Sequence, residues 1–167
     1  IVRMLDSIPG LRVVRDAPLS QYTRFGIGGP ADLLVETDLE EPFRSAVRAV
    51  RSSGLPYVLI GAGANLIASD EGFRGVVLRF TAEQIEIDGT RLTAGAGAEL
   101  QKVIDAAIAR GLRGIETLSG IPGTLGAAVY GNAGAYGHSI SERVSSVRFY
   151  NGIGVRTFSN PECEFQY

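Results

Sequence analysis

The stretch GIETLSGIPGTLGAAVYGNAGAYGHS, residues 114–139, carries glycine at positions 114, 120, 123, 126, 131, 134 and 137. Between the glycines stand small or apolar residues, with Glu116 as the exception. A flexible linker of this glycine density would be filled with Ser, Gln or Lys. This stretch instead holds Ile115, Leu118, Ile121, Leu125 and Val129, so it reads as a packed segment. Glycine admits positive φ and close backbone approach at an entropic cost. A chain that spends so many glycines in a packed segment suits a belt wrapped against something large and flat. A compact run of turns between a helix and a strand explains the pattern too, because glycine clusters serve tight turns as well as phosphates.

Upstream of the belt, Leu100, Val103, Ile104, Ala107 and Ile108 recur at helical spacing, predicting a helix over 98–110. Glu99 would sit at its positive end, Arg110 at its negative end, and Gly111 just past its terminus. Before that helix, Asp88-Gly89 between two short apolar runs predicts a β-hairpin over 85–94. Downstream, Val144–Tyr150 reads as a half-buried strand with Val147 and Phe149 inward and Ser146 and Arg148 outward. Asn151-Gly152 is a turn, and 155–158 is its hairpin partner. The N-terminal half has another character. Residues 1–18 form an entry segment with room for a short helix, and 31–36 is a strand. Thr37 or Asp38 is placed to cap a helix bearing Phe43, Ala46, Val47 and Val50. Tyr57–Ile60 and 76–80 are further strands. Strand, helix and strand in this order imply a right-handed crossover and a parallel pair. A boundary near residue 81 gives two lobes, 1–81 and 82–167, in an α+β arrangement.

Composition narrows the function classes. The 167 residues are 45% hydrophobic and 20% charged, with 22 Gly, which suits a globular chain with a sizeable core. A net charge of −2 and a pI near 5.5 offer no basic face and argue against nucleic acid as a partner. No apolar run approaches the roughly 20 residues of a membrane span. No secretory signal is visible, although the chain starts at Ile1 and so leaves targeting open. Cys163 and His138 are each alone, so there is no internal disulfide, no cysteine or histidine metal cluster, and no ready hydrolytic triad. A reducing cytoplasm is the expected compartment.

A second glycine loop, GAGANLIAS at 61–69, follows directly on the strand 57–60, where parallel sheets bind ligands. Gly61 and Gly63 fail G-x-G-x-x-G because position 66 is Leu66, and no Walker lysine follows any glycine run. Backbone N–H groups can still form an anion nest where side chains are minimal, and Asn65 tolerates the left-handed conformation. Gly123, Thr124 and Gly126 offer more N–H groups, and Thr124 a hydroxyl. Two such loops suffice for the two phosphates of a dinucleotide, and each also has a purely structural reading. Tyr136 sits among glycines, able to stack on a ligand or to pack. Arg24 faces either a phosphate or solvent. His138 reads as a surface residue. Asp70 and Glu71 lack the partners of an acid–base pair.

The segments YTRFGIGGPADL (22–33), VLIGAGANLIASDEGFRGVVL (58–78), LSGIPGTLGAAVYGNAGAYG (118–137) and NPECEFQY (160–167) together resemble the UDP-N-acetylenolpyruvoylglucosamine reductases, flavoenzymes of bacterial peptidoglycan precursor synthesis. The resemblance runs from about residue 19 to the end. It implies the two-lobed FAD-binding fold of the vanillyl-alcohol-oxidase-like flavoproteins, with non-covalent FAD between the lobes. Gly61, Ala62, Gly63, Ala64, Asn65 and Leu66 would hold its pyrophosphate. Ser119, Ile121, Pro122, Gly123, Thr124, Gly126, Ala127, Asn132, Ala133 and Gly134 would line the rest. Tyr136 and Tyr167 would contact substrate. NADPH would be the reductant, and hydride would pass through the flavin to the enolpyruvyl group of UDP-N-acetylglucosamine enolpyruvate, giving UDP-N-acetylmuramate. The protein would be a cytoplasmic monomer acting on this small UDP-sugar. The family's catalytic arginine directly follows the ECEFQY-like motif, and its serine and glutamate come later. None of the three lies in this sequence, so residues 1–167 are expected to hold FAD and not to turn over. The alternatives are a sugar or alcohol oxidase of the same fold, with His138 or Cys163 as a flavin tether, and a non-catalytic nucleotide-binding module.

Overall fold

The computed structural model describes residues 1–166. The chain divides into two compact units, Ile1–Ala82 and the remainder from Glu83 on.

The first unit runs α1 (Val2–Asp6), β1 (Arg12–Pro18), β2 (Pro30–Thr37), α2 (Glu40–Ser53), β3 (Tyr57–Ile60) and β4 (Phe73–Phe80). Its four-stranded sheet has the order β1-β2-β4-β3. β1 is antiparallel to β2, with Val14 opposite Leu34. Both β2 and β3 are parallel to β4, which meets Leu34 and Val58 at Val77. The crossover from β2 to β3 therefore leaves two strands running the same way, but they are not neighbours. β4 inserts between them because Val76, Val77 and Leu78 are all buried, as a central parallel strand requires. β3, with exposed Tyr57, Val58 and Leu59, takes the edge. The entry segment holds the short helix and also an unforeseen strand, β1. Its exposed Arg12 and Arg15 break the apolar run that would have marked it.

Side chains alternate across this sheet with the period of two that a strand imposes. Leu33, Val35, Val76 and Leu78 face α2, against Leu5, Ala46, Ala49 and Val50. Leu34 and Val77 face the other way, joined by Ala31 across the register shift between Ala31 and Leu33, against Leu19 and Ala17, with Tyr22, Ile60, Ala68 and Phe73 at the margin. Each fully buried Leu or Val contributes about 1.5–3 kcal/mol. Neither Thr37 nor Asp38 caps α2. The cap position is Leu39, and the Thr37 hydroxyl instead accepts from Leu39 N at 3.1 Å and donates to the Gly10 carbonyl at 2.7 Å.

The second unit begins with the expected hairpin, β5 (Ile85–Asp88) and β6 (Arg91–Ala94), then α3 (Leu100–Ala109). The glycine belt follows and contains a short helix the turns had concealed, α4 (Leu125–Tyr130), and a small ladder of β7 (Gly134–Ala135) with β8 (His138–Ser139). β9 (Ser146–Tyr150) and β10 (Val155–Ser159) close the unit as an antiparallel pair. Phe149 and Phe158 meet edge-on with centroids 4.8 Å apart. The core is Leu100, Ile104, Leu118, Ala128 and Ile140, with Ile115, Ile121, Leu125 and Val129 packed around it. The belt is thus wound on α3 as its apolar residues suggested. Ile108 is an exception to the predicted stripe. It is 53% exposed, because Leu100, Val103, Ile104 and Ala107 complete the buried face without it.

Candidate functional site

The first glycine loop leaves the end of β3 at Gly61 and runs to Ser69. It lies against the segment after β1, residues 19–30. Arg24 N donates to the Gly63 carbonyl at 3.1 Å, and Gly29 N donates to the Ser69 carbonyl at 2.8 Å. The fit is tight. A Cβ at Gly63 would stand 3.0 Å from Thr23 Cα and closer still to the Tyr22 carbonyl oxygen. A Cβ at Gly28 would stand 2.6 Å from that of Ala68. These glycines are required by the crossing of two backbones, whatever else the loop does.

Three of the loop's carbonyls, those of Gly61, Gly63 and Ser69, accept protein hydrogen bonds. Arg79 Nε donates to the Gly61 carbonyl at 3.3 Å, as Arg24 N does to that of Gly63. Among the described residues, the amides of Ala62, Gly63, Ala64, Asn65 and Leu66 donate no hydrogen bond of ordinary geometry to another protein group. Ala62 and Asn65 are exposed, and no acidic side chain occurs before Asp70. Unpaired amides on small residues, free of nearby carboxylates, are the donor set an anion needs.

In the second unit Gly120 N donates to Gln101 Oε1 at 2.9 Å, and Ile121 N to the Leu118 carbonyl at 3.1 Å, while Pro122 is exposed. Ser119 N is bonded to the Glu116 carbonyl. Leu100 N and Leu125 N bond across to Gly123 O and Ala98 O, at 3.0 and 2.7 Å. That pairing leaves the amides of Gly123 and Thr124 without an ordinary protein acceptor among the described residues. The Thr124 hydroxyl already has a local task, accepting from Ala127 N at 3.4 Å as the cap of α4. Gly126 is set by packing, since a Cβ there would stand 2.8 Å from that of Ala96. Asn132 is buried at φ 45°, with its Oδ1 accepting from Ser141 N at 3.3 Å. Ala133 O accepts from Ile140 N, and Gly134 lies in the ladder opposite Ser139. Asn132, Ala133 and Gly134 therefore shape the belt through their backbone and buried contacts.

Tyr136 and Gly137 form the tip between β7 and β8. Tyr136 is held at φ 54° and is 89% exposed, so its ring is presented to whatever approaches the tip. Beside it, His138 Nδ1 lies 3.0 Å from Glu142 Oε2, and Glu142 Oε1 accepts from Ser139 N at 3.0 Å. The His138 bond, and then the Ser139 amide, hold the Glu142 carboxyl below the usual carboxylate range. His138 is on the surface and engaged with a neighbour. Cys163 is a free, half-buried thiol that burial pushes up. The Arg24 side chain is exposed, and its backbone is what touches the loop. Asp70 contributes its carbonyl to the packing of Gly29, and Glu71 is an exposed loop residue. Tyr167 lies outside the described residues. Among those described, no group of three His, Cys, Asp or Glu could hold a metal, and no helix is long and apolar enough to cross a membrane.

Two residues of this geometry were not foreseen. Arg79 had one signal, a cation placed directly after the buried run 76–78 of β4. Gln101 had none beyond its place one residue into α3.

Residues 31–157 match the family described as FAD binding domain. The chain belongs to that family. It is 59% identical over 163 residues, 98% of its length, to the UDP-N-acetylenolpyruvoylglucosamine reductase of Solibacter usitatus, and 41% identical to that of Clostridioides difficile. It spans about half the length of these relatives, 52% and 56%. Among solved structures it is similar to the reductase of the same name from Thermus caldophilus, with TM-score 0.75 and 32% identity over 94% of this chain and 55% of that one. 6-Hydroxy-D-nicotine oxidase from Arthrobacter nicotinovorans, at TM-score 0.72 and 21% identity over 93% of this chain and 37% of the other, shares the fold. The mixed α/β architecture is that of the vanillyl-alcohol-oxidase-like flavoenzymes, and FAD is the cofactor of this FAD-binding family. The residues present fit it. The loop at 62–66 of the first unit carries amides without an ordinary protein acceptor, the kind of donor a diphosphate takes, with no lysine needed.

Proposed function

We propose that the protein carrying this chain is an FAD-dependent reductase. It would use NADPH to convert UDP-N-acetylglucosamine enolpyruvate to UDP-N-acetylmuramate in peptidoglycan precursor synthesis. The observation that carries this reading is the 59% identity, over nearly the whole chain, to a reductase named for that substrate. The free amides of both glycine loops support it.

In this reading the amides of Gly61 to Leu66 take the diphosphate of FAD. Ser119, Ile121, Pro122, Gly123, Thr124, Gly126, Ala127, Asn132, Ala133 and Gly134 form the wall that orients the rest and excludes water. Tyr136, exposed at its tip, and Tyr167 meet the UDP-sugar. Bound FAD would supply two-electron chemistry between the nicotinamide and the enol ether. An enol ether accepts hydride only where the charge developing on its carboxylate side is stabilised and a proton is delivered. No residue of this chain takes either part in this proposal, and the chain's contribution is to bind and orient. We place the protein in the cytoplasm as a monomer, with one FAD-holding lobe on each side of residue 81. The oxidase alternative draws only on fold, at 21% identity.

The test is to purify the full-length protein and follow flavin absorbance and NADPH oxidation with the UDP-sugar. Yellow protein that oxidises NADPH only when substrate is present is the expected result. Colourless protein that takes up no added FAD would refute the reading. Flavin-loaded protein that reduces oxygen with a simple sugar and ignores the enolpyruvyl substrate would replace it with the oxidase.

A further inference from the structure

Arg79 stands one residue from the end of β4, and three contacts fix its guanidinium. Nη1 donates to Glu36 Oε2 at 2.8 Å, Nε donates to the Gly61 carbonyl at 3.3 Å, and the carbon of the group lies 5.2 Å from the centroid of the Tyr22 ring. The side chain is 23% exposed and that of Glu36 is 14% exposed. Glu36 is also ion-paired with Arg12, so two guanidiniums share one carboxylate and the trio is left with net positive charge. An ion pair kept for stability alone has no need of a third ligand on a loop carbonyl.

That carbonyl determines which way the loop's amides point. In a trans peptide the C=O of one residue and the N–H of the next lie on opposite sides, and every peptide bond here is trans. Turning Gly61 O toward Arg79 turns the Ala62 N–H away from it. Turning Gly63 O toward Arg24 N does the same for Ala64. Neither amide donates to another protein group with ordinary geometry. Backbone amides left without a protein acceptor are the donors an anion nest uses.

We propose that Arg79 is a positioning residue for a diphosphate-bearing cofactor. It sets the Gly61–Ala62 peptide plane so that the loop offers its amides to the diphosphate, and it adds a positive charge on the loop's carbonyl side. Tyr22 and Glu36 hold the guanidinium in place. Arginine suits the task because its planar fork reaches carbonyl and carboxylate at once, while its face rests on an aromatic ring. The proposal deepens the FAD reading above and rests on it.

The experiment uses full-length apoprotein, unmodified and as Arg79→Gln and Arg79→Lys, titrated calorimetrically with FAD, ADP and riboflavin. ADP carries the diphosphate without the flavin, and riboflavin the flavin without phosphate. The expected result is that Arg79→Gln weakens FAD and ADP about tenfold or more, the scale of one lost charge-assisted hydrogen bond, while riboflavin is unchanged. Arg79→Lys keeps the charge and the Glu36 pair but loses the fork, so it falls between the two. A merely structural role would move all three ligands together, and that outcome overturns the proposal. So does unchanged ADP affinity in either variant. If Arg79→Gln does not fold, Arg79→Lys decides by the same ratio of ADP to riboflavin. Unmodified protein that binds neither FAD nor ADP refutes the functional reading and this proposal with it. Binding by the unmodified protein that the variants reproduce refutes the proposal alone.

Discussion

Gly63 and Gly26 offer a controlled comparison of why a glycine is needed. Both are in the first unit and both have positive φ, 61° and 66°. They differ in their surroundings. A Cβ at Gly26 would meet nothing within 4 Å, whereas one at Gly63 would stand 3.0 Å from Thr23 Cα and closer to the Tyr22 carbonyl. Ala in the left-handed region costs about 1–2 kcal/mol, and that is the whole expected cost of Gly26→Ala. Gly63→Ala bears the same cost. It must also push the loop off the 22–24 backbone, at about 1–3 kcal/mol for overpacking. Displacement strains the 3.1 Å bond from Arg24 N to Gly63 O, worth about 1 kcal/mol. The sum is about 3–6 kcal/mol, a large share of the roughly 5–15 kcal/mol that stabilises a domain. Urea unfolding of the two variants beside the unmodified protein measures the difference. Gly63→Ala should be the less stable by about 2–4 kcal/mol, the part of the sum that the two sites do not share. FAD affinity should fall with it, because the displaced loop carries the amides of Ala62 and Ala64. If the two variants unfold within about 1 kcal/mol of each other, near the cost of a single hydrogen bond, the crossing of backbones is not what the glycine serves.

Asn160 Nδ2 donates to the carbonyls of Ser141 and Val144, both at 2.7 Å, so Asn160→Ala should cost about 1–3 kcal/mol by leaving two acceptors unpaired, read by thermal unfolding. Gln101→Leu removes the acceptor of the Gly120 amide. It should lower stability by about 1 kcal/mol and shift the absorbance of bound flavin, whereas an unshifted spectrum would separate this loop from the isoalloxazine. The folded-state pKa of Glu142 is depressed by His138 and the Ser139 amide. Its stabilisation is therefore fully present above the unfolded value of about 4.3 and is lost as pH falls through the folded value. Glu142→Gln should flatten the acid limb of a stability–pH curve at those values and lower stability at neutral pH, where the unmodified protein has the full contribution of the ionised carboxylate.

The legible parts of this chain were those where one local rule acted alone. The helix over Phe43, Ala46 and Val50 and the hairpin at Asp88-Gly89 follow from periodicity and turn chemistry. β9, with Val147 and Phe149 inward, follows from alternation. What stayed hidden was set by partners distant in sequence. β1 is a strand because β2 offers it an edge, and Arg12 and Arg15 on its outer face erased the apolar signal. The order of the sheet turned on β4 being buried on both faces, which only the assembled core decides. α4 was masked because glycine is a poor helix former, and Gly126 is tolerated there by its contact with Ala96. The glycine loops show the same limit in functional form. The sequence offered Gly61–Ser69 and Gly123, Thr124 and Gly126 as sources of amide donors, but the Gly126 amide is taken by the Ala96 carbonyl, and a free amide is half of a peptide plane. The other half, the carbonyl, is bound by Arg79, Arg24 and the segment after β1, which no spacing within the loop reveals. A glycine motif thus marks where an anion can be held. The residues that aim it lie on neighbouring strands and are recognisable in sequence only as charges out of place, as Arg79 is directly after the buried run 76–78 of β4.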